Sequence, residues 1–141
     1  MIVTLKVENT YSHYLEEFEE CARIIEIDSK ANLEDLHLAI QEAIEFDNDH
    51  LYEFFVANSV RSRQRIRYDG ENGGLWGYAI EELFPLPKHK KLFYLFDYGD
   101  SWYFRVSRTR DKPKAKDTKV SYPRVVKVIG KSPEQYPEYE F

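Results

Sequence analysis

The chain has 141 residues, of which 43% are hydrophobic and 16% aromatic, and its formal net charge is -5. This length and composition allow one globular core and not two, and the single cysteine, Cys21, excludes an internal disulfide and a cysteine-based zinc site. No stretch approaches the roughly 18 apolar residues that span a bilayer, so we expect one soluble, cytoplasmic domain over residues 1–141, with no membrane partner and no cofactor.

Strands are predicted at the start of the chain. Ile2–Val7 alternates apolar and polar residues as a half-buried strand does, and Ala22–Ile27 is an isoleucine-rich second strand. Tyr11–Cys21, between them, is rich in Glu and aromatic residues, which suits either a short helix or a bulged connection. Further along, Leu51–Ala57 has the apolar composition of a buried strand.

An amphipathic helix is predicted over Leu33–Phe46. Asn32 is a favoured N-cap residue, and Asp35 three positions later completes a capping-box pattern. Leucine, isoleucine and alanine recur on one stripe at helical spacing, and this stripe includes His37.

The second half of the chain again favours strands. Val60–Asp69 alternates polar and apolar residues, and the glycine-rich loop that follows lacks the Gly-Lys-Ser/Thr ending of a phosphate-binding loop. The remaining predicted elements are a helical turn over Trp76–Phe84, a hairpin of Leu92–Asp97 and Trp102–Ser107, and a last strand over Tyr122–Ile129. Together the elements predict a single-domain α+β fold in which a sheet of five or six strands packs on one main amphipathic helix.

Three segments, in order, carry a family resemblance: Leu33–Gln41 with Asp49–Phe54, the Phe-Asp-Tyr-Gly-Asp-Ser-Trp run over Phe96–Trp102, and Tyr122–Val126. They resemble the plasmid pRiA open-reading-frame-three-like family, whose members are often labelled transposon-passenger or TnpR-like proteins. The resemblance implies a compact α+β roll with a mixed or antiparallel sheet and packed helices, and no defined activity. Many relatives have a histidine two residues after the hairpin tryptophan, where this chain has Phe104, so a polar group for a shared catalytic site is missing.

An alternating run of arginines is the first candidate binding site. On a strand, Arg61, Arg63, Arg65 and Arg67 would project about 6.6 Å apart from one face, close to the spacing of phosphates along a nucleic-acid strand. The side chains predicted to supply stacking surfaces beside them are Tyr68, Trp76, Tyr103 and Arg105.

The distribution of charge bears on this site. Residues 1–57 contain 3 basic and 14 acidic side chains, a net charge of -11, whereas residues 58–131 contain 17 basic and 8 acidic ones, a net charge of +9. The arginines therefore contact either an anionic partner or the acidic N-terminal block of their own chain, as a solvated face would.

A second candidate site combines His37, His50, Asp97 and Asp100. Carboxylates and imidazoles are general acids and bases or ligands of a divalent ion. Each has an alternative structural role, because His37 falls on the core stripe, His50 follows a helix end, and the two aspartates flank a glycine-containing hairpin turn. No close-spaced histidine pair is present, so we expect no metal.

Three functions stay open at this point. The first is a non-catalytic binding module whose basic strand face contacts a nucleic acid or an acidic protein. The second is a metal-dependent or acid–base enzyme that uses the histidines and aspartates, and the third is a structural protein that assembles through its opposed charge blocks. We expect the first, and the sequence leaves the partner and the oligomeric state open.

Overall fold

An antiparallel sheet organises the protein, as seen in a computed structural model that describes residues 1–11 and 20–136 and places seven strands among them. The strands are β1 (Ile2–Tyr11), β2 (Ala22–Asp28), β3 (Tyr52–Ala57), β4 (Ile66–Tyr68), β5 (Lys91–Phe96), β6 (Trp102–Arg108) and β7 (Arg124–Ile129). Their order across the sheet is β4-β3-β5-β6-β1-β2-β7, and every neighbouring pair is antiparallel. The sheet exceeds the expected five or six strands, and most of the predicted Tyr11–Cys21 element lies outside the described residues.

Three helices occur in the same described ranges: α1 (Leu33–Ile44), α2 (Gly74–Gly77) and α3 (Ile80–Leu83). The capping box of α1 is formed as predicted, since the Asn32 side chain accepts from the Asp35 N–H at 2.8 Å and the Asp35 carboxylate accepts from the Asn32 N–H at 3.1 Å. The helix ends two residues before the predicted Phe46, because Glu45 adopts a left-handed conformation with φ 62°. None of these helices is long and apolar enough to cross a membrane.

The two faces of the sheet differ in chemistry. The apolar residues of α1, Leu33, Leu36, Ile40 and Ile44, belong to the same buried cluster as the side chains on one face of the sheet, which we call the inner face. The opposite, outer face carries a smaller buried cluster of Phe55, Ala57, Phe93 and Leu95, against which Val60 and Tyr103 pack. Elsewhere the outer face includes charged residues such as Lys6, Glu8, Glu53 and Arg105.

The strand predicted over Val60–Asp69 is shorter than expected. Only Ile66–Tyr68 pairs with β3, and the preceding residues form a turn in which the Ser62 N–H donates to the Ser59 carbonyl at 3.1 Å. Arg61 and Arg63 therefore lie on a connection and not on a strand. The prediction of four arginines in one strand row was wrong, because hydrogen bonds within the turn replace strand pairing there.

The end of β7 lies against the start of β2. Gly130 has φ 75°, and a Cβ atom added to it would lie 1.9 Å from the carbonyl oxygen of Glu20. A glycine is therefore required at position 130 both for its backbone conformation and for the space that it leaves.

Replacing Gly130 by alanine is expected to lower the free energy of unfolding by about 2–4 kcal/mol, since strain at positive φ adds to a clash with main-chain atoms. Gly70→Ala is the matched control, because an added Cβ there has nothing within 4 Å. Urea unfolding followed by circular dichroism measures both variants. Equal stability of the two variants would contradict the close contact at Gly130.

Candidate functional site

A basic cavity of about 320 Å³ opens on the outer face of the sheet, lined by Val60, Arg61, Arg65 and Tyr103. The first three residues come from the turn between β3 and β4, and Tyr103 comes from β6, where it pairs with Leu95. Val60 and Tyr103 pack on the small outer cluster of buried side chains. This packing forms the base of the cavity beneath the arginines.

Arg65 is held in place from several sides. Its Nε donates to the Ser62 carbonyl at 2.9 Å, and Nη2 donates to the Val60 carbonyl at 3.2 Å. The guanidinium carbon lies 3.9 Å from the centroid of the buried Phe55 ring, a cation–π contact. Because these contacts immobilise the guanidinium before any partner arrives, less conformational entropy is lost on binding.

Arg105 extends the positive charge of the cavity along β6. It is half-buried beside Tyr103, and in the described part of the chain its Nε has no hydrogen-bond partner. Glu8 is its neighbour across the β1–β6 pair, but the Glu8 carboxylate contacts Lys6 Nζ at 3.2 Å. A partly buried guanidinium whose Nε lacks a hydrogen-bond partner favours the binding of an anionic ligand.

The other residues of the predicted basic face do not join the cavity. Arg67 lies on β4 and forms a bidentate pair with the buried Glu53, with Nε–Oε2 and Nη2–Oε1 distances of 2.7 and 3.1 Å. This pair raises the pKa of Arg67 and neutralises its charge. Trp76 belongs to α2 and donates its indole N–H to Glu34 of α1, on the helix side of the sheet.

Two further residues of the predicted basic face also lie apart from the cavity. Tyr68 packs with the inner-face cluster, and Arg63 is exposed on the turn without lining the cavity. Val60 and Phe55, which support the arginines, were not predicted from the sequence. The signal for Phe55 was its position between Phe54 and Val56 in β3, since alternate strand residues point to opposite faces.

His37, the first residue of the predicted histidine–aspartate site, is a core residue with 2% of its surface exposed. Its Nε2 donates to Asn48 Oδ1 and its Nδ1 accepts from the Tyr94 hydroxyl, both at 2.6 Å, while Gln41 Nε2 donates to that hydroxyl at 2.9 Å. The imidazole also stacks on Tyr52 with ring centroids 3.4 Å apart. Burial lowers the pKa of His37 to about 4, so the ring is neutral at physiological pH.

His50 also lies near the Phe96 ring, whose centroid is 6.2 Å from that of His37 and 6.0 Å from that of His50. The His50 Nε2 is 2.6 Å from the Tyr136 hydroxyl and 3.3 Å from Asp97 Oδ2. Of the four predicted residues, the structure therefore brings together the side chains of His50 and Asp97 and separates them from His37.

Gln135 and Tyr136 lie against the loop that contains this histidine. The Tyr136 hydroxyl donates to Asp49 Oδ2 at 2.6 Å, and Gln135 Nε2 donates to Asp49 Oδ1 at 2.7 Å. These hydrogen bonds lower the pKa of Asp49, and the carboxylate raises the pKa of Tyr136 to about 12. The cluster fastens residues 135 and 136 to the loop after α1, a role that local sequence patterns did not indicate.

The two aspartates of the hairpin shape its turn. Asp97 has φ 64°, and its Oδ1 accepts from the N–H groups of Gly99 and Asp100 at 3.0 and 3.2 Å. Gly99 does not have a positive φ, so the left-handed positions of this turn are Asp97 and Ser101. Within the described residues, no group of three or more His, Cys, Asp or Glu side chains could hold a metal ion.

Fold and site together define a class of protein: a small domain built on an antiparallel sheet, with helices on the inner face and a basic cavity on the outer face. The chain belongs to the plasmid pRiA4b ORF-3-like protein family, whose model matches residues 13–136. The family expected from the three sequence segments is thereby confirmed.

A solved structure has the same fold. The crystal structure of the protein of unknown function MM3350 from Methanosarcina mazei Go1 is similar with a TM-score of 0.71 and 23% sequence identity, over 90% of this chain and 68% of that one. A search of the curated proteins gives no match. These comparisons establish the family and the fold.

Protonation of the buried His37 is expected to destabilise the fold. The unfolded chain binds a proton near pH 6.5 that the folded state does not take up until about pH 4. The corresponding stability, about 3 kcal/mol for a shift of this size, is fully present above pH 6.5 and is lost as the pH falls to about 4.

His37→Gln, which cannot titrate, should be less stable than the wild type at pH 7.5 and should lose less stability between pH 6.5 and 4. Urea unfolding at a series of pH values measures this difference. His89→Asn is the control, because His89 is exposed. Parallel pH profiles for the wild type and His37→Gln would contradict the assignment.

Proposed function

We propose that the protein is a non-catalytic module that binds single-stranded nucleic acid on the outer face of its sheet. The observation that carries the proposal is the basic cavity, in which an immobilised arginine and a tyrosine lie together on the outer face of the sheet. Non-specific single-strand binding combines cationic groups that track phosphates with aromatic rings on which bases stack. Arg61 and Arg65 supply the first element, and Tyr103 supplies the second.

The charges around the cavity support an anionic partner. Two carboxylates on the outer face are matched by cations: Glu53 pairs with Arg67, and the buried Glu26 contacts both Lys114 and Arg124. These contacts lower the pKa of Glu26, so its carboxylate stays ionised and its charge is compensated. The overall acidity of the protein, with a net charge of -5, is therefore compatible with a locally positive surface.

Cationic groups continue beyond the cavity. Lys91 is the first residue of β5, where it pairs with Ala57, and it lies on the same face of the sheet as Arg105. Among the described residues, no carboxylate lies within ion-pair distance of Lys91 or Arg105. A nucleic-acid strand lying across β5 and β6 would contact these cationic side chains one after another. An extended polyanion suits such a track better than a compact ligand does.

The proposal is tested by fluorescence anisotropy with labelled single- and double-stranded oligonucleotides. Arg61→Gln/Arg105→Gln is expected to weaken single-strand binding about ten-fold at low salt and to reduce the slope of log affinity against log salt by about one to two, because two phosphate contacts are lost. Tyr103→Leu should weaken binding with little change in that slope, since stacking releases no counterions.

Arg110→Gln/Lys112→Gln is the matched control, as it removes the same charge from an exposed loop. Equal losses in the control and the cavity variants would mean that net charge alone drives binding. Absence of binding to any oligonucleotide at low salt, with binding to an acidic peptide instead, would replace the nucleic acid by a protein as the partner.

A further inference from the structure

Two lysines lie on the outer face of the sheet, on strands beyond the basic cavity. Lys6 of β1 pairs with Ile24 of β2, and Ile24 in turn pairs with Lys127 of β7. Residues that pair across neighbouring strands share one face of a sheet. Lys6 stands between Leu5 and Val7, which both belong to the inner-face cluster, so its own side chain is on the outer face. Lys127 is therefore on the outer face as well.

These lysines continue the positive charge of the cavity across the sheet. Lys6 also pairs with Ser107 of β6, which is two residues from Arg105 and on the same face. Together with Lys91 on β5 and with Arg65, whose guanidinium lies over a ring of β3, they place cationic groups on five of the strands between β3 and β7. Adjacent strands lie about 4.8 Å apart, so this row of cations is about 24 Å long.

We propose that a single nucleic-acid strand crosses the sheet at right angles to its β-strands, from the cavity at β3 to Lys127 on β7. This inference rests on the proposed function and adds to it the path and the length of the bound segment. A path of about 24 Å holds about four nucleotides of an extended strand, or about seven of a stacked one at about 3.4 Å per nucleotide. The ligand class is therefore a stretch of polynucleotide, whereas a dinucleotide fills only the cavity.

The charges along the row favour a polyanion. In the part of the chain that the structure describes, no carboxylate lies within ion-pair distance of Lys91 or Lys127. Lys6 Nζ is 3.2 Å from the Glu8 carboxylate, and the two side chains are 37% and 32% exposed. An ion pair as exposed as this one contributes little free energy, so a phosphate group can compete with Glu8 for the ammonium of Lys6.

Glu8 also lies between two cations of the row. It pairs with Arg105 across the β1–β6 ladder and contacts Lys6 on its own strand. A phosphate that approaches either cation is repelled by this carboxylate. Glu8 therefore weakens binding along the proposed path, and removing its charge is expected to strengthen it.

The path is tested with two ligands of different length. Binding of an oligothymidylate of about twelve nucleotides is measured by fluorescence anisotropy at low salt, and binding of a 5′-phosphorylated thymidine dinucleotide is measured by NMR titration. Lys6→Gln/Lys127→Gln is expected to weaken binding of the longer ligand about ten-fold and to reduce its salt slope by about one to two. Its affinity for the dinucleotide should change less than about two-fold, because the dinucleotide does not reach these lysines.

Arg110→Gln/Lys112→Gln is again the matched control, since it removes the same charge from an exposed loop. An unchanged affinity for the longer ligand, or equal losses for both ligands or in the control, would overturn the path. The proposed function would still stand in that case if Arg61→Gln/Arg105→Gln weakened binding of both ligands. Absence of binding of either ligand to the wild type would overturn the path and the proposed function together.

A gain of affinity tests the path independently. Glu8→Gln is expected to bind the longer ligand about two- to five-fold more tightly at low salt, because one exposed carboxylate beside two phosphate contacts is removed. Glu71→Gln is the control, since Glu71 is exposed on the glycine-rich loop and the change in net charge is the same. Equal affinities of the two variants would overturn the path. Circular dichroism of each variant shows that the protein remains folded.

Discussion

The buried Arg23 joins parts of this structure that lie far apart in the chain. It donates hydrogen bonds to the carbonyl oxygens of Ala22, Ala43, Ile129 and Gly130 and to Ser132 Oγ. In the described chain no carboxylate pairs with it, so its charge is balanced by peptide dipoles, including those at the C-terminal end of α1. A lysine could not satisfy so many acceptors, because only a guanidinium presents several donors in one plane. The position of α1 relative to the end of β7 depends on this side chain.

The sheet separates two kinds of chemistry. Its inner face carries the large aromatic core, in which the neutral His37 is fully hydrogen-bonded and plays a structural part. Its outer face carries a small apolar cluster that includes Phe55, over whose ring the Arg65 guanidinium lies. Arg65 belongs to a turn, but its guanidinium is fixed against Phe55 of the rigid strand β3. A cation held in this way is better organised for binding than one on a mobile loop.

Local patterns in the sequence determined the elements that were predicted well. The capping box at Asn32 and the apolar stripe of α1 require only neighbouring residues, as does the hairpin of β5 and β6. The features that were not predicted depend on contacts between residues that are distant in the sequence. Arg67 is neutralised by Glu53, 14 residues before it, and His50 is contacted by Tyr136, 86 residues after it, so spacing along the chain could not reveal either pairing. The turn before β4 was misread as a strand because the carbonyl contacts of Arg65 leave no periodic signal.

The place of β1 in the sheet has a consequence for the order in which the protein folds. β1 pairs with β2 on one side and with β6 on the other, where Leu5 lies opposite Arg108, 103 residues later. During synthesis the hairpin of β1 and β2 can form early, but the second edge of β1 stays open until β6 has left the ribosome. Long-range pairing of this kind slows folding and exposes an apolar strand edge in the meantime. The nascent chain is therefore most vulnerable to misassociation between the synthesis of β1 and that of β6.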